Sequence, residues 1–222
     1  MKYRCLLLDH DDTVVDSTAT IHYPCFLAYL DLHFPGRSAQ YTLRSYFEKN
    51  FDPGILSLLR DEVGLSEREI AEEERFWHDY VEHHIPRAYD RMRELLVRFR
   101  SEGGIIAVSS HSYSHYIRRD YEHNRLPVPD VIFGWDMDPA LRKPHPHSAE
   151  WVMRTYGLAP REVLMVDDSK PGFDCARGAG IDFAAAGWAV DSERIRTFMT
   201  AHCDYYLPTV EALARLIFED EA

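Results

Sequence analysis

Four short, nearly unbroken apolar runs stand out along the chain: YRCLLLD (3–9), GIIAVSS (104–110), DVIFGWD (130–136) and EVLMVDDS (162–169). A fifth, DFAAAGW (182–188), follows. Runs of this kind suit parallel strands that are buried on both faces. Amphipathic stretches lie between them. Met92, Leu95, Leu96 and Phe99 repeat at i, i+3, i+4, i+7, as do Ala149, Val152, Met153 and Tyr156; each set lays one apolar stripe along a helix. Gly103-Gly104 and Gly157 punctuate helix ends, and a last helix is expected at 208–219. Repeated strand–helix alternation predicts an α/β fold with a doubly wound parallel sheet.

The alternation stops between residues 16 and 87. Only helical periodicity appears there, from His22 to Leu32 and from Ile70 to Tyr80. The stretch is too long for a structureless loop in a compact domain. A helical insertion after the first strand is therefore expected, with the α/β core formed by 1–15 and 88–222.

Composition narrows the possibilities. With 45% hydrophobic and 28% charged residues, the chain reads as an ordinary globular one. No apolar run approaches the roughly 18 residues of a membrane helix. Asp9 stops the apolar stretch of MKYRCLLLD short of secretory length, so a cytoplasmic protein with no membrane partner is expected. Cys5, Cys25, Cys175 and Cys203 form no CxxC pair and read as buried or incidental thiols. A formal charge of −12 repels nucleic acid, and RMR (91–93) and RIR (194–196) are too short to offset it. Small anionic substrates stay open, because one metal ion and one lysine reverse the field locally.

Candidate chemistry sits at the ends of the strands, where ligands bind in open parallel sheets. Asp9 and Asp11 stand two apart in LLLDHDDT. A carboxylate there can attack phosphorus and form an aspartyl-phosphate, and a second carboxyl can carry the proton to and from the leaving group and water. Taken alone, the pair equally suits a loop capping the next helix. Ser109-Ser110 close the second apolar run; they can hold phosphate oxygens or open a helix as its N-cap. Lys143 lies in RKPHPH, a proline-flanked loop that can fix a positive charge against a phosphoryl anion. Asp167-Asp168 end the fourth run as hard oxygen ligands suited to Mg²⁺, or as a helix cap.

Each signal is weak, but their order is specific. Asp-x-Asp, then Ser, then Lys-Pro, then Asp-Asp resembles the haloacid dehalogenase-like hydrolase superfamily over the whole chain, in its phosphatase branch with an α-helical cap. DHDDTVVDS, VSS, RKPHP and VDDSKPGFDCARGAG correspond to the family's four motifs. The resemblance implies a Rossmann-like catalytic core (1–15 and 88–222) and a helical cap (16–87). It implies Asp9 as nucleophile and Asp11 as general acid/base. Ser109, Ser110 and Lys143 are the expected phosphoryl contacts. Mg²⁺ would be held by Asp9, the Asp11 carbonyl and Asp168, with Asp167 reaching it directly or through water. The partner would be a small phosphorylated metabolite: phosphoglycolate, a sugar phosphate and a nucleoside monophosphate all fit. A monomer or weak homodimer is expected.

Two positions depart from the family pattern. Asp12 replaces the usual glycine, and Gly172 stands where a further acid often follows Asp168. Asp174 is expected on the next helix and is not counted as a ligand. Asp11 disfavours a dehalogenase, since halide leaves without a proton. Phosphomutase and phosphonatase chemistry remain as alternatives, as does a non-catalytic phosphate-binding module. Lys49, flanked by Glu48, Asn50 and Asp52, is expected to stay protonated and not to form a Schiff base. His145 and His147 read as a surface loop, His83-His84 as solvated, His111 as a weak candidate for phosphate contact, and Phe47, Phe51, Phe76 and Trp77 as insertion core.

Overall fold

The computed structural model describes residues 1–218. Its strands are β1 (Cys5–Leu8), β2 (Val15–Asp16), β3 (Arg87–Ala88), β4 (Ile105–Ser109), β5 (Val131–Phe133), β6 (Val163–Asp167), β7 (Asp182–Ala186) and β8 (Tyr205–Leu207). Six of them form one parallel sheet in the order β5-β4-β1-β6-β7-β8. β1 is central, with Leu6 opposite both Ile106 and Leu164. Both of its faces are covered because alternate side chains leave the strand in opposite directions. Leu6 and Leu8 enter a core with α5 (Met92–Ser101), α6 (Ser114–His123) and α10 (Val210–Phe218). Cys5 and Leu7 enter a second core with α7 (His147–Tyr156), α8 (Lys170–Ala179) and α9 (Glu193–His202). This is the α/β architecture expected from the apolar runs.

The helix periodicities hold as well. Met92, Leu95, Leu96 and Phe99 are all buried along α5. Gly104 follows because a Cβ there would lie 2.4 Å from the Phe99 ring. Gly157 ends α7 in the left-handed conformation (φ 63°), which glycine adopts at no steric cost. The last helix runs from Val210 to Phe218; residue 219 of the expected span lies outside the described residues. β8 was not foreseen: its Tyr205 and Tyr206 are only half-buried and form no apolar run.

Residues between β2 and β3 form four α-helical segments, α1 (Tyr23–His33), α2 (Leu43–Phe51), α3 (Ile55–Ser57) and α4 (Glu67–Glu82), together with shorter π- and 3₁₀-helical turns. They enclose an apolar cluster of their own around Phe26, Tyr29, Leu30, Leu58 and Leu59. α4 starts at a capping box, with the Ser66 N–H donating to Glu69 Oε2 at 2.8 Å. β2 and β3 pair with each other, Val15 opposite Ala88, so the chain leaves and re-enters the core side by side. This two-residue ribbon escaped the sequence pattern because each strand is too short to alternate. α6 holds the return: Asn124 Oδ1 accepts from the Ala88 N–H at 2.8 Å, and Arg119 donates to the Val81 carbonyl at 2.8 Å. Among the described residues, no helix is long and apolar enough to cross a membrane.

Candidate active site

The site begins where β1 stops. The Asp9 N–H still donates to the Val166 carbonyl at 2.9 Å, so Asp9 is held as an extension of the central strand. The chain then folds back sharply, the His10 carbonyl accepting from Val14 N–H (2.9 Å) and Val15 N–H (3.1 Å). The turn needs a left-handed residue, and Asp12 supplies it at φ 59°. Aspartate tolerates this because its short side chain bonds nearby backbone: Asp12 Oδ1 accepts from the Thr18 N–H at 3.0 Å. Asp12 therefore takes the left-handed position and also clamps the loop through Thr18.

Three motifs meet at one ammonium. Lys143 Nζ lies 3.1 Å from Asp9 Oδ1 and 2.6 Å from Asp167 Oδ2. All three side chains are almost wholly buried. Burial opposes the lysine's charge, but the Asp167 and Asp9 carboxylates outweigh it and raise its pKa. Asp167 is also held on its other oxygen, which accepts from the Ser169 N–H (2.7 Å) and hydroxyl (2.6 Å). Gly172 is explained by the same carboxylate: a Cβ there would lie 2.0 Å from Asp167 Oδ2. The glycine lets the first turn of α8 lie directly on Asp167.

One oxygen each of Asp9, Asp167 and Asp168 falls within a 4.8 Å cluster. Three carboxylates against one lysine leave an excess of negative charge in a buried space. Burial, Asp9 and the neighbouring acids push Asp167 up to about 6 and Asp168 well above the usual range. A hard divalent cation suits this donor set, since it stabilises the charged carboxylates that burial disfavours. Asp168 Oδ1 also accepts from Thr13 Oγ1 at 3.4 Å.

Asp11 turns away from that cluster. Its Oδ1 lies 3.2 Å from His22 Nε2, just before α1. Trp77 Nε1–H on α4 donates to His22 Nδ1 at 3.1 Å. An indole N–H only donates, so Nδ1 accepts and the imidazole proton sits on Nε2, facing Asp11. Burial pushes Asp11 up, but the His22 hydrogen bond outweighs it and holds the carboxyl well below the ordinary range. Neither His22 nor the role of Trp77 was found in the sequence. Trp77 was expected in the insertion core; instead it packs between His22, Tyr113 and Tyr116.

Ser109 and Ser110 end β4 beside β1, both buried. Ser109 Oγ donates to Ser148 Oγ at 3.0 Å, and Ser110 Oγ accepts from the Ser112 N–H at 3.1 Å. The pair does not cap α6, whose N-cap is Tyr113. His111 has a different partner from the one considered. Its Nε2 lies 2.9 Å from the Lys143 carbonyl, and burial together with the lysine charge pushes its pKa down to about 4. It braces the lysine loop as a neutral donor.

The remaining candidates stay outside the site. Asp174 pairs with Lys170 at 2.9 Å. Lys49 pairs with Glu62. His145 is exposed in the loop, and its Nδ1 accepts at 3.2 Å from the N–H of His147, which opens α7 instead of lying in the expected loop. His83 and His84 are exposed. Phe47 and Phe51 are buried not inside the insertion but against the core domain, Phe51 meeting Phe198 at 5.4 Å. A further residue missed in the sequence is His10, buried below the loop with Nε2 3.0 Å from Asp120 Oδ2.

The fold and this arrangement define a class. The family model for haloacid dehalogenase-like hydrolases matches residues 6–186. The chain belongs to that family. A phosphoglycolate phosphatase of Mesorhizobium japonicum is 29% identical over 67% of this chain and 69% of its own. One from Aliivibrio fischeri is 23% identical over 80% and 81%. Among solved structures, a haloacid dehalogenase-like family protein of Streptococcus pneumoniae superposes with a TM-score of 0.72 at 21% identity, covering 97% of this chain and 99% of that one. CbbY from Rhodobacter sphaeroides in complex with phosphate superposes with a TM-score of 0.69 at 20% identity, covering 93% and 94%. Within the family the chain falls with the phosphatases, which are phosphoric monoester hydrolases.

Proposed function

We propose that this chain hydrolyses a small phosphate monoester through an aspartyl-phosphate on Asp9, with Mg²⁺ as cofactor. The observation that carries this reading is the convergence of Asp9, Lys143, Asp167 and Asp168 in one buried cluster, with Asp11 beside it but held apart by His22. The His10 N–H (2.7 Å) and Lys143 both fall on Asp9 Oδ1, which leaves Oδ2 to attack phosphorus. Asp11, ionised beside His22 in the free protein, takes the proton that the phosphate monoester monoanion brings and gives it to the leaving oxygen as the ester P–O bond breaks. Asp11 then removes a proton from water. The water oxygen attacks the acyl-phosphate phosphorus, releasing phosphate and restoring the Asp9 carboxylate.

Lys143 provides fixed positive charge for the transferring group, and Ser109 and Ser110 provide donors at the neighbouring strand end. Mg²⁺ would be held by Asp9, the Asp11 carbonyl and Asp168, and supplies charge neutralisation at the phosphoryl oxygens. Both oxygens of Asp167 are already engaged by Lys143 and Ser169, which favours a role through water. The helical insertion acts as a cap over the site, residues 16–87 against a core of 1–15 and 88–222. Substrates named for relatives, phosphoglycolate among them, fall within the class of small phosphate monoesters.

The test is hydrolysis of p-nitrophenyl phosphate by the purified protein. Turnover with Mg²⁺, its loss in chelator, and an acid-stable radiolabel on the wild type that is absent from Asp9→Asn are expected. Turnover that resists chelation would refute the metal assignment, and a labelled Asp9→Asn would refute the nucleophile.

A further inference from the structure

His10 stands between Asp9 and Asp11, and its ring is wholly buried against α6. Its backbone is the hub of the sharp turn. The His10 N–H donates to Asp9 Oδ1 at 2.7 Å, and its carbonyl accepts from the Val14 and Val15 N–H groups at 2.9 and 3.1 Å. Rotation at His10 would release Asp9 on one side and reshape the turn that carries Asp11 and Asp12 on the other. The aim of the Asp9 carboxylate therefore depends on what holds this one residue.

The holder is Asp120 on α6. His10 Nε2 lies 3.0 Å from Asp120 Oδ2; an ionised carboxylate only accepts, so Nε2 carries the proton and donates. The other ring nitrogen, Nδ1, has no hydrogen-bond partner among the described residues, and Tyr121 stacks on the ring at 5.9 Å. Asp120 is the side chain that sets the ring's direction. It is clamped in turn: its Oδ1 lies 2.8 Å from both Nε and Nη2 of Arg119, whose Nη1 donates to the Val81 carbonyl at 2.8 Å. One carboxylate oxygen is fixed by the guanidinium and the other is left for His10.

Stability does not account for the arrangement, because well-packed apolar residues in place of a buried charged pair are often as stable or more so. Direction does account for it. An apolar side chain at position 10 would fill the space without fixing how the backbone turns, whereas a hydrogen bond to a clamped carboxylate fixes it. We propose that Asp120 is a positioning residue for the nucleophile: through the His10 ring it aims the His10 N–H that holds Asp9 Oδ1 and leaves Oδ2 free. This rests on the phosphatase reading above and adds to it a residue that acts through another. A displacement of about 1 Å in a reacting geometry costs about a hundredfold in rate.

The test measures kcat and KM for p-nitrophenyl phosphate with Mg²⁺, the melting temperature, and the amide NMR resonance of His10. The variants are Asp120→Leu, Asp120→Asn and the double variant His10→Leu with Asp120→Leu. Asp120→Leu should lower kcat about tenfold to a hundredfold with KM little changed, and should move the His10 amide resonance. Asp120→Asn, whose side-chain amide can still bond Nε2, should recover most of kcat. The double variant replaces both partners by apolar groups, so it should fold with a melting temperature near that of wild type and still turn over slowly, which separates aim from stability. A double variant with wild-type kcat, or a His10 amide resonance unmoved in Asp120→Leu, overturns the proposal and leaves the phosphatase reading intact. Absence of p-nitrophenyl phosphate hydrolysis in wild type overturns both.

Discussion

Lys143 ties Asp9, the proposed nucleophile, to the last acidic motif, and its removal should act on stability and on chemistry at once. Deleting one partner of a buried charge cluster leaves the others uncompensated, at a cost of about 3–5 kcal/mol. Lys143→Met should therefore lower the melting temperature in chelator, and Mg²⁺ should recover part of the loss by neutralising the same carboxylates. Turnover should fall at least about a hundredfold, the scale of losing one transition-state charge contact. A variant as stable as wild type without metal would mean that the cluster is not charged as its geometry implies. Asp11→Asn tests the other half of the site. Turnover should drop by about 10²–10⁴, and less for p-nitrophenyl phosphate than for an alkyl ester, because the phenolate leaves without help. Equal losses on both substrates would remove Asp11 from the proton-transfer role. Gly172→Ala is the sharpest structural probe. Its Cβ would displace Asp167 Oδ2, so activity should collapse although the substitution favours a helix.

Among the elements, α4 is the one that reaches from the insertion into the chemistry. Trp77 fixes the tautomer of His22, and His22 orients Asp11. Trp77→Phe keeps an aromatic ring and removes one donor. A net hydrogen bond contributes about 0.5–1.5 kcal/mol, so kcat on an alkyl phosphate should fall by up to about tenfold, with a smaller fall on p-nitrophenyl phosphate. Parallel losses on the two substrates would indicate general loosening and not a misplaced acid. α6 secures the other end of the insertion. Asn124 bonds the Ala88 N–H and the Pro86 and Asp120 carbonyls at 2.8, 3.0 and 2.8 Å. Asn124→Ala strands these partly buried groups and should cost about 1–3 kcal/mol, measured by denaturant unfolding.

For the whole molecule, the acids make stability depend on pH and metal together. Asp12 and Glu73 are both pushed up to about 7, chiefly by burial. Folded chains keep these protons at a pH where unfolded chains have released them. Their contribution is therefore present below the ordinary carboxylate range and is lost as pH rises through about 7. His111, pushed down to about 4, acts in the opposite sense but has finished titrating above its ordinary value of about 6.5. Between pH 6.5 and 8 the metal-free melting temperature should fall. Mg²⁺ as proposed would bind the deprotonated carboxylates, so its stabilising effect should grow over the same interval. A metal-free profile that is flat or rises across this interval would count against the buried acids as placed.

The sequence by itself determined the sheet and the ordered set of acids. Strands buried on both faces must be apolar throughout, so β1, β4, β6 and β7 showed as runs, and the polar residues closing them had to lie at the sheet's carboxyl edge. Asp9, Asp167 and Asp168 were legible for that reason, and Lys143 through its proline-flanked loop and its place in the order of the motifs. β2, β3 and β8 were not, because β2 and β3 have two residues each and β8 carries two half-buried tyrosines in place of an apolar run. What tertiary structure alone decided lies across contacts that have no spacing rule. Lys143 reaches Asp9 and Asp167 from loops far apart in sequence, and Trp77 meets His22 only once α4 folds back over the first motif. Gly172 looked like a missing ligand until Asp167 was seen to fill the space of its absent side chain. Asp12 looked like a departure until its left-handed turn and its bond to Thr18 were in view. In each case the side chain's role depends on which groups desolvate and pair with it, and that is settled by packing.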